Sequence, residues 1–145
     1  MLRSVPKLKL IAVGKVKKGW IREGLDTYLK RVPELEILEI KDSNPIQEGD
    51  LVLSMLRPEQ RLVALTETGK TLASSAFADF VGSASSHQLV FFVGSADGLS
   101  LQVQQRAAHK LSLSPMTFPH EIARLLLVEQ LYRAKMILQG GQYHK

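Results

Sequence analysis

The last three residues of the chain, Tyr143-His144-Lys145, set an aromatic ring, an imidazole and an ammonium side by side. Such a set can stack on a base, hold or move a proton near neutral pH and pair with a phosphate. It suits contact with RNA better than packing in a core. Three further stretches carry groups able to surround a ligand: Leu65-Thr66-Glu67, Gly94 to Gly98, and Leu113 to Phe118. Each follows an apolar stretch of strand character, and in open α/β sheets ligands sit outside the carboxyl ends of the strands, where strand order reverses. Gly94 and Gly98 allow backbone to approach a ligand closely or to take positive φ. By itself their G-x-x-x-G spacing fits a plain turn equally well.

One tempting motif fails on its own chemistry. Ala64 to Thr71 reads A-L-T-E-T-G-K-T, a relaxed phosphate loop with alanine for the first glycine. A phosphate cradle needs successive backbone N–H groups around the anion, lysine on the terminal oxygens and threonine on Mg²⁺. Here Glu67 would put a carboxylate into that cradle, and Gly69 is its only glycine. The segment is read as a turn with Lys70 exposed. No metal reading survives either. The chain has no cysteine, which removes thiolate sites, disulfides and cysteine nucleophiles, and His120-Glu121 lacks the second histidine of a zinc-protease helix. His120 is expected to bond locally, and His87 and His109 to lie on the surface.

The elements that must position these residues follow from the pattern. Leu8 to Val13 reads as a strand closed by Gly14, followed by a basic loop with Lys15, Lys17 and Lys18. Trp20 to Lys30 has helical apolar spacing and stops before Pro33. Leu35 to Ile40 is a second strand nearer an edge, and Gln47 to Leu56 a short helix. Leu62 to Leu65 is a third strand and Ser74 to Val81 a helix. Leu89 to Val93 is a continuous apolar run, the pattern of a strand covered on both faces. Ser100 to Ala108 should be helical, Lys110 to Leu113 a short strand, and Pro119 to Leu138 a long helix with proline in its first turn. Strands alternating with helices predict an α/β domain with a mainly parallel sheet.

The whole chain, 1–145, reads as one domain, with hydrophobic residues at 45% and charged residues at 23%, an ordinary balance for a globular core. The net charge of +5 points to a polyanionic partner or simply to a basic protein. No apolar run approaches the ~20 residues of a membrane span, and the N-terminal apolar stretch is too short and too charged for a signal peptide. A soluble, cytoplasmic protein without a membrane partner is expected. The last helix is apolar on more than one face, so it must be covered on more than one face. A homodimer supplies that cover; complete burial within one subunit is the alternative.

Taken together, the motifs resemble the large-subunit ribosomal RNA methyltransferase H family, within the SPOUT class of knotted methyltransferases. LKLIAVGKVK (8–17) is similar to the family's opening strand, LVALTETGK (62–70) to its middle strand and loop, and FFVGSADGLS (91–100) to its glycine loop. LSLSPMTFPHEIARLLLVEQLYRA (111–134) and the terminal YHK match its most specific blocks. Residues 1–7 stand as an N-terminal extension with no predicted role.

The resemblance implies a C-terminal trefoil knot, a homodimer and S-adenosyl-L-methionine as cofactor. It also implies methyl transfer to N3 of a pseudouridine in the helix 69 loop of 23S ribosomal RNA on assembled ribosomes. By motif position the cofactor would contact Leu65, Gly94 and the run Leu113, Ser114, Pro115, Met116, Thr117 and Phe118. His144 and Tyr143 become candidates for positioning or proton handling, and Arg124, Arg133 and Lys145 for RNA contacts. Arg133 also stands four residues after Glu129, an ordinary helical ion-pair spacing, and Arg124 suits a dimer interface equally. Two departures from the family pattern stand out. Ser95 replaces the second of two glycines, and Gly140-Gly141-Gln142 precedes Tyr143 where the family carries a glutamate or asparagine and often a proline, a change expected to loosen the tail. These departures leave a second reading, a non-enzymatic ribosome- or RNA-binding module that has kept the fold but lost the cofactor.

Overall fold

The computed structural model describes residues 2–84 and 86–141. Ten elements alternate along them: β1 (Leu8–Val13), α1 (Gly19–Leu29), β2 (Leu35–Ile40), α2 (Pro45–Met55), β3 (Gln60–Thr71), α3 (Ser74–Gly82), β4 (Gln88–Val93), α4 (Leu101–Arg106), β5 (His109–Ser112) and α5 (His120–Leu138). The strands form one sheet in the order β2-β1-β4-β3-β5, and every pairing is parallel. The expected α/β class therefore stands, with β2 at an edge as its alternating Leu-Glu-Ile pattern predicts.

The centre of the sheet explains the apolar run at 89–93. Leu89, Phe91 and Val93 face the core shared with α1, α3 and α5, whereas Val90 and Phe92 face the one shared with α2 and α4. A strand covered on both sides has no polar face to display. The last helix meets α1 and α3 along its length: Leu127, Val128, Leu131 and Leu138 are buried, and Gly24 of α1 lets the Leu125 side chain approach closely. Much of its wide apolar surface is thus covered inside one subunit.

Element ends depart from the sequence reading for local reasons. The second helix starts at Pro45, because Asn44 caps it by accepting from the Gln47 N–H at 2.9 Å. The fourth is shortened to Leu101–Arg106, between the Ser100 cap and the strand that starts at His109. The largest correction concerns β3. The expected turn at 66–70 is part of an extended strand that runs to Thr71, with Lys70 exposed as expected. Its register against β5 shifts between Leu65 and Lys70, both paired with Leu111, so 66–69 bulge outward. Ser112 Oγ donates to the Glu67 carbonyl at 3.1 Å across this bulge. A side chain at Gly69 would stand 2.7 Å from the Lys110 backbone, so glycine here serves the close approach of the β3 bulge to β5 and not phosphate binding.

The N-terminal extension also gains a role. The Arg3 amide donates to the Leu138 carbonyl at 2.8 Å, and its guanidinium pairs with Asp79 of α3 at 2.7 Å. Gly140, at φ +74, and Gly141 return their N–H groups to Ile137 and Met136 and close α5. Gly140 and Gly141 thus define where the helix ends, and the tail that the Gly-Gly-Gln change was expected to loosen lies outside the described residues.

Candidate functional site

Parallel strands deliver their carboxyl ends to one side of the sheet, and there the three ligand-capable loops converge. They enclose a cleft of about 570 Å³ between the ends of β3, β4 and β5 and the start of α5. Leu65, Gly94, Leu113, Ser114, Thr117 and Phe118 line it, and so does the exposed Met116. Pro115 is exposed at the turn beside it, where the Met116 N–H donates to Ser114 Oγ at 3.0 Å. Thr66, Glu67, Asp97 and Gln104 add polar groups to the lining. His120 and Ala123 of α5 complete it. His120 was set aside in the sequence as a local hydrogen-bonding residue; its place on the cleft follows from the path of the chain between β5 and α5.

The glycine loop is built tightly. Gly98 takes φ +84 and donates its N–H to the Ser95 carbonyl at 3.0 Å. A Cβ at Gly94 would lie 2.9 Å from the Gly98 carbonyl oxygen and 2.7 Å from Leu99, so no side chain fits there without moving the loop. Ser95, the departure from a second glycine, lies within 3.5 Å of Glu48 on α2 through its hydroxyl. Glu48 is itself buried and accepts the Ser43 amide at 2.8 Å. One carboxylate therefore faces both the loop after β2 and the loop after β4. Nothing in the residue types around Glu48 announces this, because its partner is 47 positions away.

At the opposite wall, Glu121 in the first turn of α5 accepts the Lys17 and Lys18 amides, each at 3.2 Å. Burial acts to raise its pKa. The two amide hydrogen bonds and the nearby charges of His120 and Lys18 outweigh that effect, and its carboxyl lies below the ordinary carboxylate range. An ionised Glu121 thus ties the loop between β1 and α1 to the rim of the cleft.

The cationic residues separate. Arg124, a candidate for RNA contact, is turned into the protein. It is 2% exposed, pairs with Glu39 of β2 at 2.5 Å and donates to the Gly14 carbonyl at 2.8 Å. Its place on α5 faces the sheet and is closed to a large anion. Arg133 pairs with Glu129 at 2.9 Å, the helical ion pair that its spacing permits. Tyr143, His144 and Lys145 lie outside the described residues. Of the other histidines, His87 and His109 are exposed, as expected. Among the described residues, no three histidine or carboxylate side chains gather as a metal site would require, and no helix is long and apolar enough to cross a membrane.

An all-parallel α/β domain with a cleft walled by the loops after β3, β4 and β5 fits the SPOUT class among other α/β folds, and comparison with known proteins selects it. Residues 7–144 match a family described as "Predicted SPOUT methyltransferase". The protein called ribosomal RNA large subunit methyltransferase H in Synechococcus sp. (strain CC9605) is 52% identical over 139 residues, covering 96% of each chain. Its namesake in Prochlorococcus marinus (strain NATL2A) is 48% identical over 142 residues, covering 98% of each. The chain belongs to the ribosomal RNA large subunit methyltransferase H family.

Proposed function

We propose that the protein is an S-adenosyl-L-methionine-dependent methyltransferase that acts, as a homodimer in the cytoplasm, on N3 of a pseudouridine in the helix 69 loop of 23S ribosomal RNA within assembled ribosomes. The observation that carries this reading is the convergence of the loops at Leu65, Gly94 and Leu113–Phe118 on one cleft. The trefoil-knotted path of the C-terminal half is part of the same proposal.

The cleft suits the cofactor chemically. Its 570 Å³ is within the ~300–1,000 Å³ of small-molecule sites. Leu65, Leu113, Met116 and Phe118 supply apolar walls for an adenine, and Gly94 lets the loop fold tightly against Gly98 and Leu99 at the cleft's edge. Glu67 and Asp97 line the same cleft. Carboxylates that would repel a triphosphate suit a ligand carrying a sulfonium and an ammonium. The bound cofactor supplies an electrophilic methyl group.

The chain's own groups then have to position the nucleophile and manage its proton. N3 of pseudouridine carries a weakly acidic proton, and His144, with Tyr143, is the proposed group that orients the base and accepts or guides that proton. Lys145 and Arg133 are proposed to contact the RNA. The Arg124 position supports a different task, fixing the Gly14 turn and the start of α5. Ser95 lines the cleft, and its hydroxyl lies within 3.5 Å of Glu48, so the departing residue stands at the cofactor's proposed site with a partner on α2.

Titration calorimetry with S-adenosyl-L-methionine, against Mg·ATP as rival, tests the cofactor, and methyl incorporation into ribosomes lacking the modification tests the substrate. Saturable binding of the first ligand alone, with one methyl entering the helix 69 loop, is the expected result. Binding of Mg·ATP alone would overturn it. Binding of neither, with no methyl entering the ribosome, would leave the RNA-binding module.

A further inference from the structure

The turn between β1 and α1 exposes Lys15, Lys17 and Lys18, and the first turn of α1 exposes Trp20 directly after them. Trp20 is 59% exposed and is the only tryptophan of the chain. A lone exposed apolar side chain is ordinary. Here the indole follows three exposed lysines within five residues of chain, and the backbone beneath them is held from inside. Val16 is buried in the core, and its carbonyl accepts from Arg22 Nη2 at 2.6 Å. Glu121 holds the Lys17 and Lys18 amides, and Gly14, at φ +77, donates to the Ile40 carbonyl at 2.8 Å. The side chains of Lys15, Lys17 and Lys18 make no hydrogen bond or ion pair within the described residues.

This basic turn is tied through Glu121 to the helix start that lines the cleft. β1 pairs with β4 so that Ala12 lies opposite Val93, and β1 ends one residue further on, at Val13. Glu121, which anchors the turn, directly follows His120 of the cleft lining.

We propose that Trp20 with Lys15, Lys17 and Lys18 forms a docking surface for a single-stranded RNA loop, in which an unpaired base stacks on the indole and neighbouring phosphates meet the lysines. The proposal rests on the reading of the protein as an RNA methyltransferase and locates where the substrate first engages it. Stacking requires an unpaired base, so duplex RNA, whose bases are closed to such contact, is not the partner. A second copy of the chain would bring like-charged lysines together across the same face, which charge disfavours.

Because Trp20 is the only tryptophan, fluorescence of the full-length protein excited selectively at tryptophan, clear of its tyrosines, reports on this surface alone. An RNA hairpin with a single-stranded loop should quench it saturably, and a fully paired duplex of equal length should not. Trp20→Ala should weaken binding of a labelled hairpin by roughly ten-fold and raise KM for ribosomes without changing cofactor affinity. Lys17→Ala and Lys18→Ala should each lower the slope of log affinity against log salt by about 0.7. Saturating hairpin that leaves the emission unchanged would overturn the proposal, as would emission that changes with protein concentration alone, the mark of a second copy seated on Trp20. Quenching without methyl transfer would retain the surface and sink the enzymatic reading. Methyl transfer with emission, salt slope and Trp20→Ala KM all unmoved would do the reverse.

Discussion

Arg124 on α5 and Glu39 on β2 meet at 2.5 Å, 85 positions apart, while the same guanidinium donates to the Gly14 carbonyl at 2.8 Å. The last helix, an edge strand and the turn after the first strand are joined by one side chain. The cleft lies just beyond, because His120 and Ala123 precede Arg124 on the same helix. Arg124→Ala leaves Glu39 and the Gly14 carbonyl without their donor. Since the Glu39 side chain is 37% exposed and can rehydrate, the expected loss of unfolding free energy is about 2–3 kcal/mol, below the ~3–5 of a fully buried pair. Arg124→Lys should recover less than half of it, because one ammonium cannot reproduce the planar fork. Urea unfolding of the two variants measures both.

Glu121 makes stability depend on pH in a defined direction. Its carboxyl is held below the ordinary range in the folded protein, so the folded state binds its proton less readily than the unfolded chain. The resulting stabilisation is complete above the unfolded value, about 4.5, and fades as the pH falls through the lower folded value. Glu121→Gln should therefore be less stable than the parent at neutral pH, and the gap should close on acidification below about pH 4. Paired thermal melts between neutral and acid pH check this; a constant gap would show that ionisation of Glu121 contributes nothing.

Gly94→Ala and Gly69→Ala should fail in different ways. At Gly94 the new methyl meets the Gly98 carbonyl inside the cleft loop, so cofactor affinity should fall by at least ten-fold, with a stability loss of about 1–3 kcal/mol. At Gly69 it meets the Lys110 and Leu111 backbone where the β3 bulge lies against β5, which should destabilise the sheet by a similar or larger amount. Calorimetric titration of each variant, alongside its melting curve, separates the two effects.

His144→Ala is predicted to lower turnover on ribosomes by roughly 10²–10⁴-fold if the imidazole handles the N3 proton. Cofactor affinity should stay near that of the parent. Single-turnover methylation across pH 6 to 9 provides the measurement, and undiminished turnover would remove His144 from the mechanism.

Much of this was legible in the sequence because local rules govern it. The apolar run at 89–93 announced a strand covered on both faces, and Leu-Glu-Ile alternation announced an edge. Pro119 marked the start of the last helix, and the Glu129–Arg133 pair follows from spacing alone. The motif blocks pointed to the family and to the loops at Leu65, Gly94 and Leu113–Phe118. What tertiary structure alone decided were relationships between residues distant along the chain. A turn-like TETGK became a bulged strand because β5 pairs on both sides of the bulge, at Leu65 and again at Lys70. Arg124, charged and suited to RNA by composition, was drawn inward by Glu39 and two backbone carbonyls. Glu48 and Glu121 became the anchors of two loops more than 45 and 100 positions away. Residue type and spacing encode which element forms and which face is apolar; they do not encode which distant backbone amide a buried carboxylate will find, because that depends on how the whole sheet and its helices close around it.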